Sequence, residues 1–467
     1  MPARTSKTNL RKSKTRVSLR VGVDRSWWAS WSSKSVLGRV AFQGGFDSHP
    51  LPYKPLAKSP NSHIKNPYNH LMTTDLEILN SLVARVFRVE DVTSGGHADP
   101  YLLRYRGQLF SGIDSAEAYD QLAEALKPHG LMPLFRRGEG ESQVIFLVEK
   151  LPAPRPSNPR TNLIMFILTV LSVMLTGAQI PEGVLIPTDI PGQLGLMARY
   201  FYTGWPFALA LLSILVAHEF GHYFAGRYHK TDVSLPFFIP LPFSLLGTMG
   251  AFINMRELPK NKRTLFDIGI AGPLAGLVVS IPVLLIGLSL SNTSIIEPAP
   301  GGFIEGNSIL YLLAKFVVFG QLLPAPVDYN GLSPLLYWLA YIFTGQPIPY
   351  GGLDVMIHPV ALAGWAGLLV TALNLIPAGQ LDGGHIVYAL FGKRVRGTLP
   401  FVLLLLGVLG IFWSGWWLWA GLLFFLGRAH SETLDEITDL DPRRRIIAWL
   451  MVLVFILVFT PVPMVGM

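Results

Sequence analysis

Six apolar runs dominate the chain: Asn162 to Ala178, Trp205 to Gly226, Thr264 to Leu290, Ile357 to Pro377, Leu399 to Gly427 and Ile446 to Phe459. Each is long enough, or nearly so, to cross about 30 Å of hydrocarbon as a helix. Backbone in that medium must satisfy its own hydrogen bonds, so the expected fold class is a polytopic α-helical membrane protein of about six to eight spans. Composition agrees, because half of the 467 residues are hydrophobic and only 15% are charged, too apolar for a soluble enzyme of this length. Two shorter runs, Ile309 to Leu323 and Ser333 to Phe343, sit among Pro, Gly and Asn and read as interfacial or lumen-side structure.

The chain has no cysteine, which excludes disulfides, thiolate-bound zinc, iron-sulfur clusters and thiol nucleophiles. Any metal must be held by His and carboxylate. The formal charge of +8 is not spread over the body: residues 1 to 71 carry thirteen Lys and Arg against two acidic residues. A basic tail on a slightly acidic body is no argument for a nucleic-acid-binding fold.

The tail at 1 to 71 is rich in Ser, Arg, Lys and Pro and lacks helical or strand periodicity, so little stable structure is expected there. It has the composition of an organelle transit peptide, or of a basic arm lying on anionic lipid. Alternatively the true start is Met72, which opens Met72-Thr73-Thr74-Asp75-Leu76, a first helix with its N-cap. Residues 72 to 150 read as a small soluble α+β domain: a helix over Asp75 to Val89, a strand over Tyr101 to Phe110, a helix over Ser115 to Pro128 capped by Ser115, and a hairpin over Leu131 to Lys150. The Pro-rich stretch 151 to 161 reads as a stiff linker, and 162 to 467 as the transmembrane domain.

Lys and Arg at the span ends set the expected orientation. Lys150, Arg155 and Arg160 precede the first run; Arg227, Lys230, Arg256, Lys260, Lys262 and Arg263 follow the second; Lys393, Arg394 and Arg396 follow the fourth. These loops are expected on the cytoplasmic side. The stretch Ser291 to Met356 holds only Lys315, and Gln179 to Gly204 only Arg199, which suits the opposite side. Arg428 and Arg443 to Arg445 join the cytoplasmic set if Leu399 to Gly427 is a tight hairpin bent near Ser414-Gly415.

The second run contains Ala217-His218-Glu219-Phe220-Gly221-His222-Tyr223. On a helix His218 and His222 share a face one turn apart, so both imidazoles can grip one Zn²⁺ while Glu219 stands beside them as general base. A pair of hydrogen-bonded core histidines is the plainer reading, but three ionisable groups at the end of an apolar run are costly unless they have a function. A catalytic zinc usually takes three protein ligands. The downstream loop offers His229 and Asp232, whereas Asn374-Leu375-Ile376-Pro377-Ala378-Gly379-Gln380-Leu381-Asp382-Gly383-Gly384-His385 places a carboxylate where the fourth run breaks. Asp382 is the better candidate for the third ligand: taken alone it reads as a turn or cap residue, but the expected topology puts both motifs at the cytoplasmic ends of their spans.

Taken together, these two motifs resemble the site-2 protease family of intramembrane zinc metalloproteases, whose HExxH and NxxPxxxLDG signatures match His218 to His222 and Asn374 to Gly383. The resemblance covers about residues 162 to 427. It implies zinc held by His218, His222 and Asp382, Glu219 as the base, and Asn374 holding the substrate backbone or the developing oxyanion. Gly247-Thr248-Met249-Gly250-Ala251 stands where the family has a re-entrant loop, so Gly247 and Gly250 become candidate substrate contacts. His385, after the Gly pair, reads either as a residue that hydrogen-bonds a ligand from outside or, at least equally, as a polar helix-start residue. Phe266 to Pro273, opening the third run, is a further likeness; Asp267 within it either caps that helix, the favoured reading, or approaches the site.

The soluble domain ahead of the first run, the Ser291 to Met356 insert and the phrase His358-Pro359-Val360-Ala361-Leu362-Ala363-Gly364-Trp365 look like the plastid and cyanobacterial branch called ethylene-dependent gravitropism-deficient and yellow-green proteins. Plastid members carry Gly-Asn-Leu-Arg; this chain has Gly107-Gln108-Leu109-Phe110, which favours the cyanobacterial side. The resemblance implies hydrolysis of peptide bonds within transmembrane segments of membrane proteins, in a cyanobacterial plasma or thylakoid membrane or alternatively a chloroplast membrane. Expected partners are such substrates and the lipid bilayer, with no nucleic acid. Two other classes stay open: a catalytically inactive relative acting as a membrane chaperone, and a divalent-metal transporter. The aromatic group Phe412, Trp413, Trp416, Trp417 and Trp419 reads as an interfacial belt.

Overall fold

A computed structural model describes residues 73–467 apart from 97–98, 151–157, 182, 299–301, 428–431 and 467. The basic tail, the start at Met72, most of the Pro-rich linker and Arg428 lie outside the described residues.

The N-terminal portion consists of α1 (Thr73–Val83), β1 (Phe87–Ser94), β2 (Leu103–Leu109), α2 (Ser115–Leu126), β3 (Leu131–Arg137) and β4 (Gln143–Glu149). The strands form one antiparallel sheet in the order β1-β2-β4-β3. Both helices bury their apolar side chains on it, with Leu79, Val83, Leu122 and Leu126 meeting Phe87, Tyr105, Phe135 and Ile145. The sequence reading extended the first helix through Val89; the chain instead turns at 84–86 and Phe87 begins a strand. Phe87-Arg88-Val89 alternates buried and exposed along that strand, a pattern three residues long and easily lost in the helix before it. The second helix is capped by Asp114, whose carboxylate accepts from the Ala116 N–H. Ser115 is thereby free to donate to Asp435 at 2.9 Å.

Three helices among the described residues are long and apolar enough to cross a membrane: α3 (Pro159–Thr176), α5 (Trp205–Tyr228, preceded by a 3-10 turn from Phe201) and α6 (Lys262–Ser289). A short helix, α4 (Ile190–Arg199), joins the first two. The first helix starts at Pro159, inside the stretch expected as linker, because Asn158 caps it and Pro sits in its first turn. After α5 comes a two-stranded antiparallel hairpin, β5 (Phe237–Pro240) and β6 (Thr248–Phe252). The insert after α6 holds β7 (Asn292–Ile295), β8 (Phe303–Glu305), α7 (Ile309–Phe319), α8 (Pro334–Thr344) and β9 (Leu353–Met356).

Then follow α9 (Pro359–Asn374), α10 (Asp382–Phe391), α11 (Leu399–Leu409), α12 (Gly415–Leu426), α13 (Pro442–Val458) and β10 (Met464–Gly466). Leu399 to Gly427 is a helical hairpin, as its Ser-Gly dipeptide suggested. The Trp417 ring lies beside Gly407 and Gly410, and Leu399 beside Gly427. Its aromatics are not all a belt: Trp417 is exposed, but Trp416 is fully buried, stacks on Phe459 and donates to the Pro461 carbonyl.

The central packing is α5 against α6 with α9 covering both. Small residues make this contact close. A Cβ at Gly221 would fall 2.4 Å from the Ala271 carbonyl oxygen, and one at Gly364 2.6 Å from the Leu284 Cα.

A strap at 433–441, between α12 and α13, ties the sheet to these helices. Phe135 of β3 donates its N–H to the Leu434 carbonyl, and Glu436 returns one to Phe135. On its other side the strap donates from Leu434 to Pro259 and from Asp435 to Lys260. Fully buried Asp435 accepts from Ser115 and from the Ile437 and Thr438 amides. Burial works against ionising Asp439, but hydrogen bonds from Lys262 and Arg137 outweigh it and hold the carboxyl below the usual range.

Lys315, the single cation of the insert, is entirely buried between Asp354 at 3.1 Å and Glu305 at 3.3 Å, and Tyr311 donates to Glu305. Removing one partner of such a buried set leaves uncompensated charge. Lys315→Met is expected to destabilise the protein by about 3–5 kcal/mol, seen as a lowered melting temperature in detergent. Changing Glu305 to Gln and Asp354 to Asn in the same chain should restore part of the loss.

Candidate metal centre

Histidines 218 and 222 and Glu219 all lie on the last three turns of α5 and are buried. Asp382 reaches them from another part of the chain. α9 ends at Asn374, the segment 375–381 turns back with Gly379 at φ +57°, and Asp382 opens α10. The turn is tight: a Cβ at Gly383 would sit 2.0 Å from the Leu375 carbonyl oxygen. As the first residue of α10, Asp382 also places its carboxylate at the positive end of that helix.

The three donor atoms form a nearly equilateral triangle. His218 Nε2 and His222 Nε2 are 3.2 Å apart, and Asp382 Oδ2 lies 3.4 Å from the first and 3.3 Å from the second. A tetrahedral ion with bonds of about 2.0–2.1 Å sets its ligands about 3.3–3.4 Å apart, so the triangle has the size of one tetrahedral face. Its chemistry agrees. His222 donates from Nδ1 to the Ile268 carbonyl at 2.7 Å, which leaves the Nε2 lone pair of the neutral ring facing the other two donors. Three electron-rich atoms converging in a buried space call for a cation. Among the described residues these three are the one His/Asp/Glu group with ligand atoms within 4.8 Å of one another.

Comparison with known proteins finds that residues 206–402 match peptidase family M50, a shorter stretch than the 162 to 427 of the resemblance. The chain carries an M50 peptidase domain. It is homologous to the protein named probable zinc metalloprotease EGY1, chloroplastic, of Oryza sativa subsp. japonica, 32% identical over 323 residues, which are 65% of this chain and 50% of the relative. The Arabidopsis thaliana protein of the same name is 31% identical over 316 residues, 64% of this chain and 52% of the relative. Probable zinc metallopeptidase EGY3, chloroplastic, of Arabidopsis thaliana is 32% identical over 268 residues, 55% and 42% of the two. The chain spans about half the length of the curated relatives it matches.

Within the M50 domain, Glu219 is buried next to the triangle, and its Oε2 has no hydrogen-bond partner among the described residues. A buried carboxylate oxygen without a donor is costly. Asn374 lies with its side-chain amide 3.3 Å from His218 Nε2. His385, one turn beyond Asp382, is buried against α6 at Gly269. Gly250 belongs to β6, which among the described residues pairs with β5 alone. Gly247 is placed differently: it is buried, a Cβ there would meet Val173 and Ser172 of α3, and Ser172 donates to its carbonyl. It anchors the hairpin to α3.

The alternative ligands of the downstream loop are engaged elsewhere, His229 with Asp267 at 2.9 Å and Asp232 with Arg256 at 3.6 Å. Asp267 does not cap α6; Asn261 does, accepting from the Thr264 N–H. Two site residues escape sequence reasoning. Ile268 acts through a backbone carbonyl, which leaves no mark on residue type. Gly272 lies under the His222 ring, where a Cβ would fall 2.1 Å from Nε2. The Phe266 to Pro273 likeness was its one signal. Gly272→Ala is expected to push His222 aside and strip bound divalent metal, whereas Gly421→Ala, with open space around its Cβ, should leave it. Metal analysis of the two purified variants checks this.

Proposed function

We propose that this chain is an intramembrane zinc metalloprotease that hydrolyses peptide bonds within transmembrane segments of membrane-protein substrates. The observation that carries the reading is the His218, His222 and Asp382 triangle, sized for a tetrahedral ion, with the unpartnered Glu219 carboxylate beside it. In this reading His218, His222 and Asp382 hold the zinc, which when bound supplies a Lewis acid and lowers the pKa of water. Glu219 takes the proton of the attacking water and delivers it to the leaving amine. Asn374, within reach of His218, holds the substrate carbonyl as its oxygen gains charge. His385 supports the α10 start from the α6 side.

A helical substrate hides its carbonyls in internal hydrogen bonds, so it must unwind before attack. The free edge of β6 offers the opened strand a backbone partner near Gly250. We read α3, α5, α6, α9, the α11–α12 hairpin and α13 as the membrane-inserted helices; the hairpin's limbs, 11 and 12 residues long, are too short to cross about 30 Å, so it enters and returns on one side. The Lys and Arg loops and the N-terminal sheet then lie on the cytoplasmic side, and the Lys315 insert opposite. The named relatives are chloroplastic, and a cyanobacterial plasma or thylakoid membrane, or a chloroplast membrane, is the setting we propose. The partners are transmembrane substrates and lipid.

Glu219→Gln should abolish cleavage of single-span reporter helices, by at least about 100-fold, while purified protein retains its zinc. Asp382→Asn should lose both. Zinc bound by wild type with no cleavage of any reporter would sink the protease reading. Gly250→Pro, which disrupts the β6 edge, should stop cleavage without lowering zinc content; intact cleavage would retire edge pairing.

A further inference from the structure

We infer that Arg444 and Asp267 are positioning residues for the metal ligand His222, acting through the axial register of α6. The inference rests on the zinc-site reading above and adds to it a support that begins on a helix carrying no ligand.

The starting point is how His222 is held. Its position along α5 is set by the helix, but the ring can still turn about its own bond. The contact that stops it is the Nδ1–H bond to the Ile268 carbonyl, 2.7 Å long. That acceptor is a backbone atom of α6, so it goes wherever α6 goes. An axial slide of about 1 Å would carry the acceptor about 20° off the Nδ1–H direction, so the ring would have to turn to keep the bond. Something must hold α6 against α5 at this level.

The residue before Ile268 supplies it. Asp267 receives a bidentate pair from Arg444 of α13, Nε to Oδ1 at 2.7 Å and Nη2 to Oδ2 at 2.6 Å. The same carboxylate meets His229 Nε2 at 2.9 Å, and His229 is the C-cap of α5, its N–H donating to Ala225. One carboxylate thus locks the start of α6 to the end of the ligand-bearing helix and to α13. Arg444 is held in turn: Asp441 accepts from its backbone N–H and from Nη1. Asp441 ends the strap that is bonded to the N-terminal sheet.

This set is only partly buried, with Arg444 and Asp267 side chains 31% and 22% exposed. A planar, two-bond fork fixes direction as well as distance, which suits a positioning task more than bulk stability. Partners that orient a metal ligand from outside are worth about 10–100-fold in metal affinity. For one acting through a backbone carbonyl we expect the lower end, about 10-fold.

The test is a double-mutant cycle on full-length protein in detergent, with Asp267→Asn, Arg444→Gln, the double variant, and Arg443→Gln as an exposed neighbour on the same helix. Zinc affinity is measured by chelator competition, the d–d spectrum of the cobalt-substituted protein reports ligand geometry, and the melting temperature of metal-free protein reports folding. The expected result is about 10-fold weaker zinc binding and an altered cobalt spectrum in each single variant, no further loss in the double, and none in Arg443→Gln. Wild-type affinity and spectrum in Asp267→Asn would overturn the inference, as would losses that add in the double variant. If Arg444→Gln does not fold, Asp267→Asn decides alone, because it keeps the shape of the side chain. A wild-type protein that captures no zinc would refute the metalloprotease reading and this inference together, whereas wild-type binding with unaffected variants refutes the inference only.

Discussion

The hydrogen bond from His222 Nδ1–H to the Ile268 carbonyl is the contact around which the rest of the centre is arranged. It fixes which imidazole nitrogen faces the metal position and so decides whether three donors converge or merely lie near one another. It exists because α5 and α6 approach more closely than ordinary side chains allow. Gly272 leaves room for the ring, Gly221 for the Ala271 carbonyl, and Gly276 for the His218 ring. In an apolar solvent, helix association draws little from the hydrophobic effect and relies on such close contact. Small residues at the seam are therefore a condition of the chemistry.

From that seam the architecture follows outward. α9 lies over α5 and α6 and breaks at Asn374, so the chain can bring Asp382 back to the histidines at the start of a new helix. α13 pins α6 through Arg444, and the strap ahead of it bonds to β3. The N-terminal sheet is therefore built into the body of the protein by backbone hydrogen bonds and by buried Asp435, not merely tethered through its linker. The insert has its own polar anchor in Lys315 of α7, Glu305 of β8 and Asp354 of β9, none of which belongs to the elements that carry the metal position.

Much of the site could be read from the sequence, for a definable reason. His218 and His222 are four apart on a helix, and helical geometry alone puts them on one face. Asp382 was legible because a Pro and Gly-rich break at the end of an apolar run is tolerated only where irregular backbone has a buried purpose. The misreadings share a cause. Asp267 was read as a cap because its neighbours in sequence suggested one, while its partners, His229 and Arg444, lie on other helices. Trp416 was grouped with the belt by proximity to Trp417, although one residue's step turns it from lipid-facing to core. Gly247 was grouped with Gly250, yet it packs on α3.

What the sequence determined by itself was the helical, apolar architecture and which three side chains, His218, His222 and Asp382, were candidates to converge, because both arise from local rules: the length of an apolar run, the pitch of a helix, the charge a carboxylate must hide. The tertiary structure alone decided how far apart the donor atoms stand and what holds them there. Distances of 3.2 to 3.4 Å among atoms from α5 and α10, a carbonyl supplied by Ile268, and a clamp from α13 depend on how helices distant in sequence pack. No periodicity encodes that packing, since it is set by the fit of surfaces that meet only after the chain has folded.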